Sequence, residues 1–224
     1  MTDTTRALLR RILENVAERV ADEREYLIEL DSNIGDADFG ATLHRGCQAA
    51  LDAVESVDDP APDAFVDAVG EALLEEMAGS SGIVFGMSLV QASTAIEEGV
   101  SAETVADFAE TYRDSVAERG DVAVGAKTMY DAIVPVADAL RAELETGSGD
   151  PLQMSANAVE AARRGALFAS ALRAKRGRAS YTEWRSVGHP DPGAVGTYLL
   201  LDAIHRTLER HFAETRTHDF PDHL

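Results

Sequence analysis

Leu9, Ile12, Leu13, Val16, Val20, Leu27 and Leu30 recur largely at three- and four-residue steps, with Ile12 and Leu13 adjacent. That spacing lines one face of an α-helix and predicts a first helix over about residues 4–31. The same periodicity returns in runs over 40–56, 62–78, 82–98, 102–118, 128–146, 152–175 and 193–213. Breakers separate the runs: Asp58-Asp59-Pro60-Ala61-Pro62, Gly79-Ser80-Ser81-Gly82, Gly99, Gly120 and Gly147-Ser148-Gly149-Asp150-Pro151. Pro135, inside the 128–146 run, should kink that helix or mark its beginning. Strand-like alternation is essentially absent, so the fold class is all-α. Eight helices joined by short turns should lie antiparallel to their neighbours in a bundle or barrel. No repeat or low-complexity tract interrupts them, and the Gly147–Pro151 segment is short enough to be a turn. A single domain over 1–224 follows.

With 224 residues and 45% hydrophobic content, the chain can bury a sizeable core. No window approaches the roughly 20 apolar residues of a membrane-spanning helix. The N-terminal MTDTTRALLRR lacks the apolar run of a secretory signal. The expectation is a cytoplasmic protein without membrane association. The lone Cys47 has no disulfide partner within the chain and reads as a small buried apolar residue.

Charge changes the picture further. Asp and Glu total 40 against 20 basic residues, a net charge of −20, and only Lys127 and Lys175 are lysines. A dense acidic surface with lysine nearly eliminated is the composition expected of a salt-loaded cytosol, where screening suppresses self-repulsion. It predicts loss of structure on dilution into low salt. The absence of a basic stripe argues against nucleic-acid binding.

Four segments between helices do not suit plain packing, and such connections tend to carry function. The first, Asp31-Ser32-Asn33-Ile34-Gly35-Asp36-Ala37-Asp38, holds three carboxylates within eight residues. On an unbroken helix Asp31 and Asp36 would point about 140° apart, but a break at Asn33-Ile34-Gly35 lets all three converge. Converging carboxylates need a cation between them, and all-oxygen ligands suit magnesium better than zinc. The EF-hand spacing is not met, since Thr42 stands where its last ligand would be. The same residues also serve as helix caps, so both readings stand at this point. The second segment, Gly79-Ser80-Ser81-Gly82, opens an apolar helix; it is either a cap or an anion site built on free N–H groups. No Walker A loop is present. The third, Gly125-Ala126-Lys127-Thr128-Met129-Tyr130-Asp131, spends one of two lysines just before a helix. The fourth runs from Gly177-Arg178-Ala179-Ser180-Tyr181 to Arg185-Ser186-Val187-Gly188-His189-Pro190-Asp191-Pro192-Gly193-Ala194. This long stretch lacks helical periodicity, offers arginine forks suited to phosphate, and ends in a good helix start.

Taken in order, these segments resemble the L subunit of dihydroxyacetone kinases, over about residues 25–205, with GRASY…RS-x-GH-x-DPGA the most specific part. The resemblance implies a barrel of eight antiparallel helices with ADP or ATP bound at one end. It implies that Asp31, Asp36 and Asp38 hold two magnesium ions. Phosphate would rest on Phe39, Gly40, Ala41 and Thr42 and on Ser80 and Ser81. Gly120 and Met129 would line the nucleotide site, completed by Arg178, Asp191, Pro192 and Gly193. The triose itself would sit on a separate K subunit, held covalently by a histidine that this chain need not supply, and the resemblance leaves the catalytic side chains unknown. The chain departs from the family where Phe39 replaces a usual His, Thr42 an Asn and Ala126 an Asp.

The family has two forms. In one, ATP exchanges as a substrate. In the other, ADP stays bound and is rephosphorylated by a phosphohistidine protein of the phosphotransferase system, and a free-standing chain of this length resembles that form more. The alternatives are an ATP-exchanging kinase subunit for another small substrate, and a non-catalytic ADP-binding interaction protein. The sequence leaves the oligomeric state open, and a homodimer is compatible with it.

Overall fold

The computed structural model describes residues 3–57, 61–77, 79–146 and 149–218. The sequence breakers Asp58-Asp59-Pro60 and Gly147-Ser148 lie outside the described residues. Among those described, nine α-helices follow one another: α1 (Asp3–Asp22), α2 (Arg24–Ile34), α3 (Phe39–Glu55), α4 (Pro62–Glu76), α5 (Gly79–Ser93), α6 (Ala102–Gly120), α7 (Tyr130–Thr146), α8 (Pro151–Ser170) and α9 (Pro192–His218). Two 3-10 segments, Thr94–Ile96 and Arg178–Ser186, complete the set.

Helices α3 to α9 each pack against the next in sequence, and α1 packs against both α3 and α9. The ring therefore closes on eight helices, as expected, and α2 is an addition that lies against α3, α9 and the Arg178–Ser186 segment. The long first helix bends at Glu23, whose φ −96° and ψ 6° depart from helical values. The hydrogen bonds Glu23 N–H to Arg19 O and Leu27 N–H to Glu23 O bridge the bend. Leu13, Val16, Val20, Leu27 and Leu30, on the predicted stripe, are all buried. No helix of the described residues is long and apolar enough to cross a membrane.

Pro135 neither starts nor ends α7 but sits inside it. Its missing N–H leaves the carbonyl of Asp131 without the usual helical donor. Gly165 of α8 packs onto that carbonyl, where a Cβ would come within 2.3 Å. The predicted run 152–175 stops at Ser170, and the run 82–98 is α5 starting three residues earlier, followed by the Thr94–Ile96 turn.

Up-and-down connectivity decides where the chemistry falls. Successive antiparallel helices alternate ends, so every second connection reaches the same end of the barrel. Connections α2–α3, α4–α5, α6–α7 and α8–α9 share one end, and these are the four segments singled out in the sequence. Cross-links join two of these connections: Lys175 N–H donates to Ala126 O at 3.0 Å, and Arg176 donates to the Asp121 carbonyl at 2.7 Å. At the opposite end, Arg6 donates to the Val57 carbonyl at 2.6 Å.

Candidate functional site

The turn between α2 and α3 brings the three carboxylates together. The chain leaves α2 at Gly35, reverses through Ala37 at φ 63°, and enters α3 at Phe39. Asp31 is buried on α2, and its Oδ2 accepts the N–H groups of Asp38 at 2.9 Å and Phe39 at 3.1 Å. That fixes the first turn of α3 and leaves Oδ1 for other work. Gly35 is required by contact and not by backbone angle, since its φ is −137°. A Cβ there would meet Asp31 Oδ1 at 2.0 Å.

Asp31, Asp36 and Asp38 each place an oxygen within 4.8 Å of the other two. Burial holds the Asp38 carboxyl above its ordinary range, and the charges of Asp36 and Asp31 push it the same way, with Arg178 opposing. Three carboxylates at this spacing repel unless a cation lies among them. The donor set is all oxygen, which fits a hard divalent ion such as magnesium. Arg178 Nη1 lies 2.5 Å from Asp36 Oδ2, joining the α8–α9 connection to the cluster.

Other sequence candidates reach the same end in different ways. Gly40 and Thr42 are buried in the first turn of α3, and Ala41 is half-buried. Gly40 is pressed against α2, where a Cβ would lie 2.4 Å from the Arg24 carbonyl. The Thr42 hydroxyl donates to the Phe39 carbonyl at 3.0 Å. The Phe39 ring belongs to the core: it lies 6.0 Å from the Phe85 ring and against Gly196 of α9. Its side chain therefore packs the barrel, and its N–H is spent on Asp31. Ser80 is exposed and Ser81 half-buried, both in the first turn of α5, where N–H groups lack helical acceptors.

Gly120 closes α6 next to Val122, which with Ala117, Asp121, Val124, Ala126 and Lys175 lines a cavity of about 420 Å³; Gly120 itself is not in that lining. Met129 is buried next to Gly193, whose added Cβ would lie 3.3 Å from the Met129 Cβ. Asp191 precedes Pro192 at the start of α9 and accepts the Ala194 N–H at 2.8 Å. Burial pushes its carboxyl up to about 7, against the opposing pull of that hydrogen bond and of Lys127.

Two residues with organising roles are not apparent as such in the sequence. Lys127 is fully buried, and its ammonium donates to the carbonyls of Ala169 at 2.9 Å, Ser170 at 3.1 Å and His189 at 2.5 Å. It caps α8 and ties it to the approach of α9. Asp131, buried in the first turn of α7, accepts the N–H groups of Gly125 at 2.5 Å and Thr128 at 3.0 Å. The one clue is Lys127 itself, one of two lysines in a chain that otherwise uses arginine. Ala126 is nearly fully buried and lines the cavity beside Val122. Cys47 is buried as expected, and burial pushes its thiol up to about 12, far from reactive.

The DAK2 domain family matches residues 33–206. The chain is 34% identical over 185 residues to the ADP-binding subunit DhaL of the PEP-dependent dihydroxyacetone kinase of Escherichia coli, covering 81% of this chain and 87% of that one. It is 34% identical over 200 residues to the corresponding subunit of kinase 1 of Listeria innocua, covering 88% and 94%. The human triokinase/FMN cyclase is 31% identical over 199 residues, with this chain spanning 34% of its length. The crystal structure of the C. freundii dihydroxyacetone kinase with AMP-PNP and Mg2+ superposes with a TM-score of 0.69 at 25% identity, over 90% of this chain and 34% of that one. With the helical barrel and the carboxylate cluster in place, the chain belongs to the DAK2 domain family, as a member of its dihydroxyacetone kinase L-subunit type.

Proposed function

We propose that this chain, working as one unit over 1–224, is the nucleotide-binding subunit of a dihydroxyacetone kinase. The observation that carries this is the convergence of Asp31, Asp36 and Asp38 at the end of the barrel where α3, α5, α7 and α9 begin. In this reading the three carboxylates hold two magnesium ions. The backbone N–H groups of Gly40 and Ala41 and the first turn of α5 at Ser80 and Ser81 receive the phosphates, since helix N-termini favour anions. Phe39 and Thr42, whose N–H groups are spent on Asp31 and on the Asp38 carbonyl, frame the first turn of α3. The nucleoside lies toward Gly120 and Met129, beside the cavity at Val122 and Val124. Arg178 moves between Asp36 and phosphate, and Asp191-Pro192-Gly193 closes the site.

Phosphoryl transfer asks mainly for positioning and charge neutralisation, and magnesium on an aspartate cluster supplies the latter. The rest of the work falls to the chain: Asp31 holds the α2–α3 turn, and Lys127 holds the α8–α9 connection.

The form favoured is the one in which ADP stays bound as a cofactor. A phosphohistidine protein of the phosphotransferase system rephosphorylates it, and the phosphoryl group passes to dihydroxyacetone on a partner K subunit. The named ADP-binding subunits support this form, because this chain spans 87% and 94% of their lengths. The triokinase match, confined to 34% of that protein, supports the ATP-exchanging alternative.

Purification in high salt, denaturation and identification of the released nucleotide separate the two. Stoichiometric ADP that survives dialysis, and is missing from Asp36→Ala, supports the cofactor form. Weak exchangeable ATP supports the other form, and no binding of either nucleotide rejects both.

A further inference from the structure

One cation, Lys175, sets the charge of the cavity next to the end of α6. The walls are apolar at Val122, Val124 and Ala126, and the charged groups are Asp121, Arg176 and Lys175. Arg176 donates to the Asp121 carbonyl at 2.7 Å and pairs with the Asp121 carboxylate, so those two charges cancel. Lys175 makes no ion pair among the described residues, although the chain has 40 acidic residues against 20 basic ones. Its ammonium lies beside the loop that forms the opposite wall, 3.7 Å from where a Cβ on Gly125 would stand. Ala126 on that wall brings no carboxylate to take it up.

The backbone holds Lys175 in place. Its N–H donates to Ala126 O at 3.0 Å, and the Ala174 N–H before it donates to the buried Ser186 hydroxyl at 2.9 Å. Gly188 N–H donates to the Ser170 carbonyl at 2.9 Å and pins the later part of the connection to the end of α8. In the opposite wall, Val122 N–H donates to Ala117 O at 3.2 Å and Ala126 N–H to Ala123 O at 3.1 Å, while Gly125 N–H is held by Asp131. Hydrogen bonds therefore fix both sides of the cavity. Arg173 does not compete for the space, because its guanidinium lies 5.3 Å over the ring of Trp184, which is 71% exposed.

Building on the proposed nucleotide-binding role, we infer that Lys175 is a specificity-determining residue that reads the base and admits guanine as well as adenine diphosphates. Cavity and carboxylate cluster share one stretch of chain. Arg176 lines the first, and Arg178, two residues or at most about 7 Å of backbone later, pairs with Asp36 of the second. A nucleotide whose phosphates meet the cluster can therefore lay its base between the valines. An ammonium is a donor only, so it selects a base edge that accepts. Guanine presents two adjacent acceptors, O6 and N7, and lysine can serve both. Adenine sets an amino donor, N6, beside its N7, so lysine gains one bond there and meets a second donor.

The test is calorimetric titration of ADP, GDP and inosine diphosphate, each with Mg2+, into the nucleotide-stripped full chain in high salt. Wild type should bind GDP at least as tightly as ADP. Inosine diphosphate should match GDP, because it carries the same O6 and N7 without the 2-amino group. Lys175→Met should weaken GDP and inosine diphosphate about tenfold and leave ADP within about threefold, the scale of one bidentate base contact. Lys175→Gln should turn the preference toward ADP, because an amide can donate to N7 and accept from N6 together. Lys175 is exposed, so both variants should keep the wild-type circular dichroism. GDP binding more than about tenfold weaker than ADP in wild type would overturn the role of Lys175. Equal losses of ADP and GDP in Lys175→Met would also overturn it, by marking a phosphate contact, as would weak inosine diphosphate beside tight GDP. Tight ADP with any of these results leaves the nucleotide-binding role standing, whereas no binding of any of the three rejects that role and the inference together.

Discussion

The Oδ2 atom of Asp31 accepts the backbone N–H groups of both Asp38 and Phe39, at 2.9 and 3.1 Å. One carboxylate of the cluster thus stabilises the fold, while its neighbour Asp38 is pushed toward protonation by burial and by like charges. Opposite effects of substitution follow. Without metal or nucleotide, Asp31→Ala strands two N–H groups and should lower stability by about 2 kcal/mol. Asp38→Asn removes a repelling charge and should raise the melting temperature. Thermal unfolding in fixed high salt checks both signs; a loss of stability in both variants would remove the distinction.

Asp191 gives a pH dependence whose sign is fixed by its environment. Its ordinary value is near 3.8, and burial pushes it up to about 7 in the fold. Between those values the folded state holds a proton that the unfolded chain has released, so stability falls as pH rises through that window and levels off above it. Asp191→Asn keeps a capping side chain and removes the titration. The stability of the variant relative to wild type should therefore increase from pH 5 to pH 8. Denaturant midpoints at the two pH values measure it, and a difference independent of pH would contradict it.

The two lysines should behave in contrast. Lys127 is enclosed, with three carbonyls on its ammonium and the charges of Asp191 and Asp131 nearby. Lys127→Met would leave those groups uncompensated at a cost of about 3 kcal/mol or more. Lys127→Arg should not recover it, because a planar fork cannot reproduce the three-way fit of a compact ammonium. Lys175 is exposed, and Lys175→Met should change stability by less than about 0.5 kcal/mol. Equal effects at both positions in chemical denaturation would contradict the structural role of Lys127.

Much of this arrangement is legible in the amino-acid sequence. The three- and four-residue periodicity locates the helices of the ring, and their count sets which connections share an end. The carboxylate turn, the Ser80-Ser81 start, the 125–131 loop and the 177–194 stretch all fall at that end. What stays hidden depends on single side chains and angles. The bend at Glu23 leaves its hydrogen bonds intact, so no breaker residue announces it. Phe39 borders the carboxylate turn in sequence, yet with Leu43 and Cys47 it forms an i, i+4, i+8 apolar stripe that draws its ring into the core. The inward turn of Lys127 and the outward turn of Trp184 both oppose the usual habit of their residue types. Each is held by hydrogen bonds between segments far apart in the chain, and no local pattern records them.

Calorimetric titration of ADP into nucleotide-stripped chain, with and without Mg2+, tests whether Asp31, Asp36 and Asp38 form a magnesium site on which ADP depends. Tight binding is expected only with Mg2+, with a loss of about 100-fold or more in Asp36→Ala with the fold intact, as follows when an ion loses one of few charged ligands. ADP binding of equal strength without Mg2+, or unchanged in Asp36→Ala, would contradict such a site.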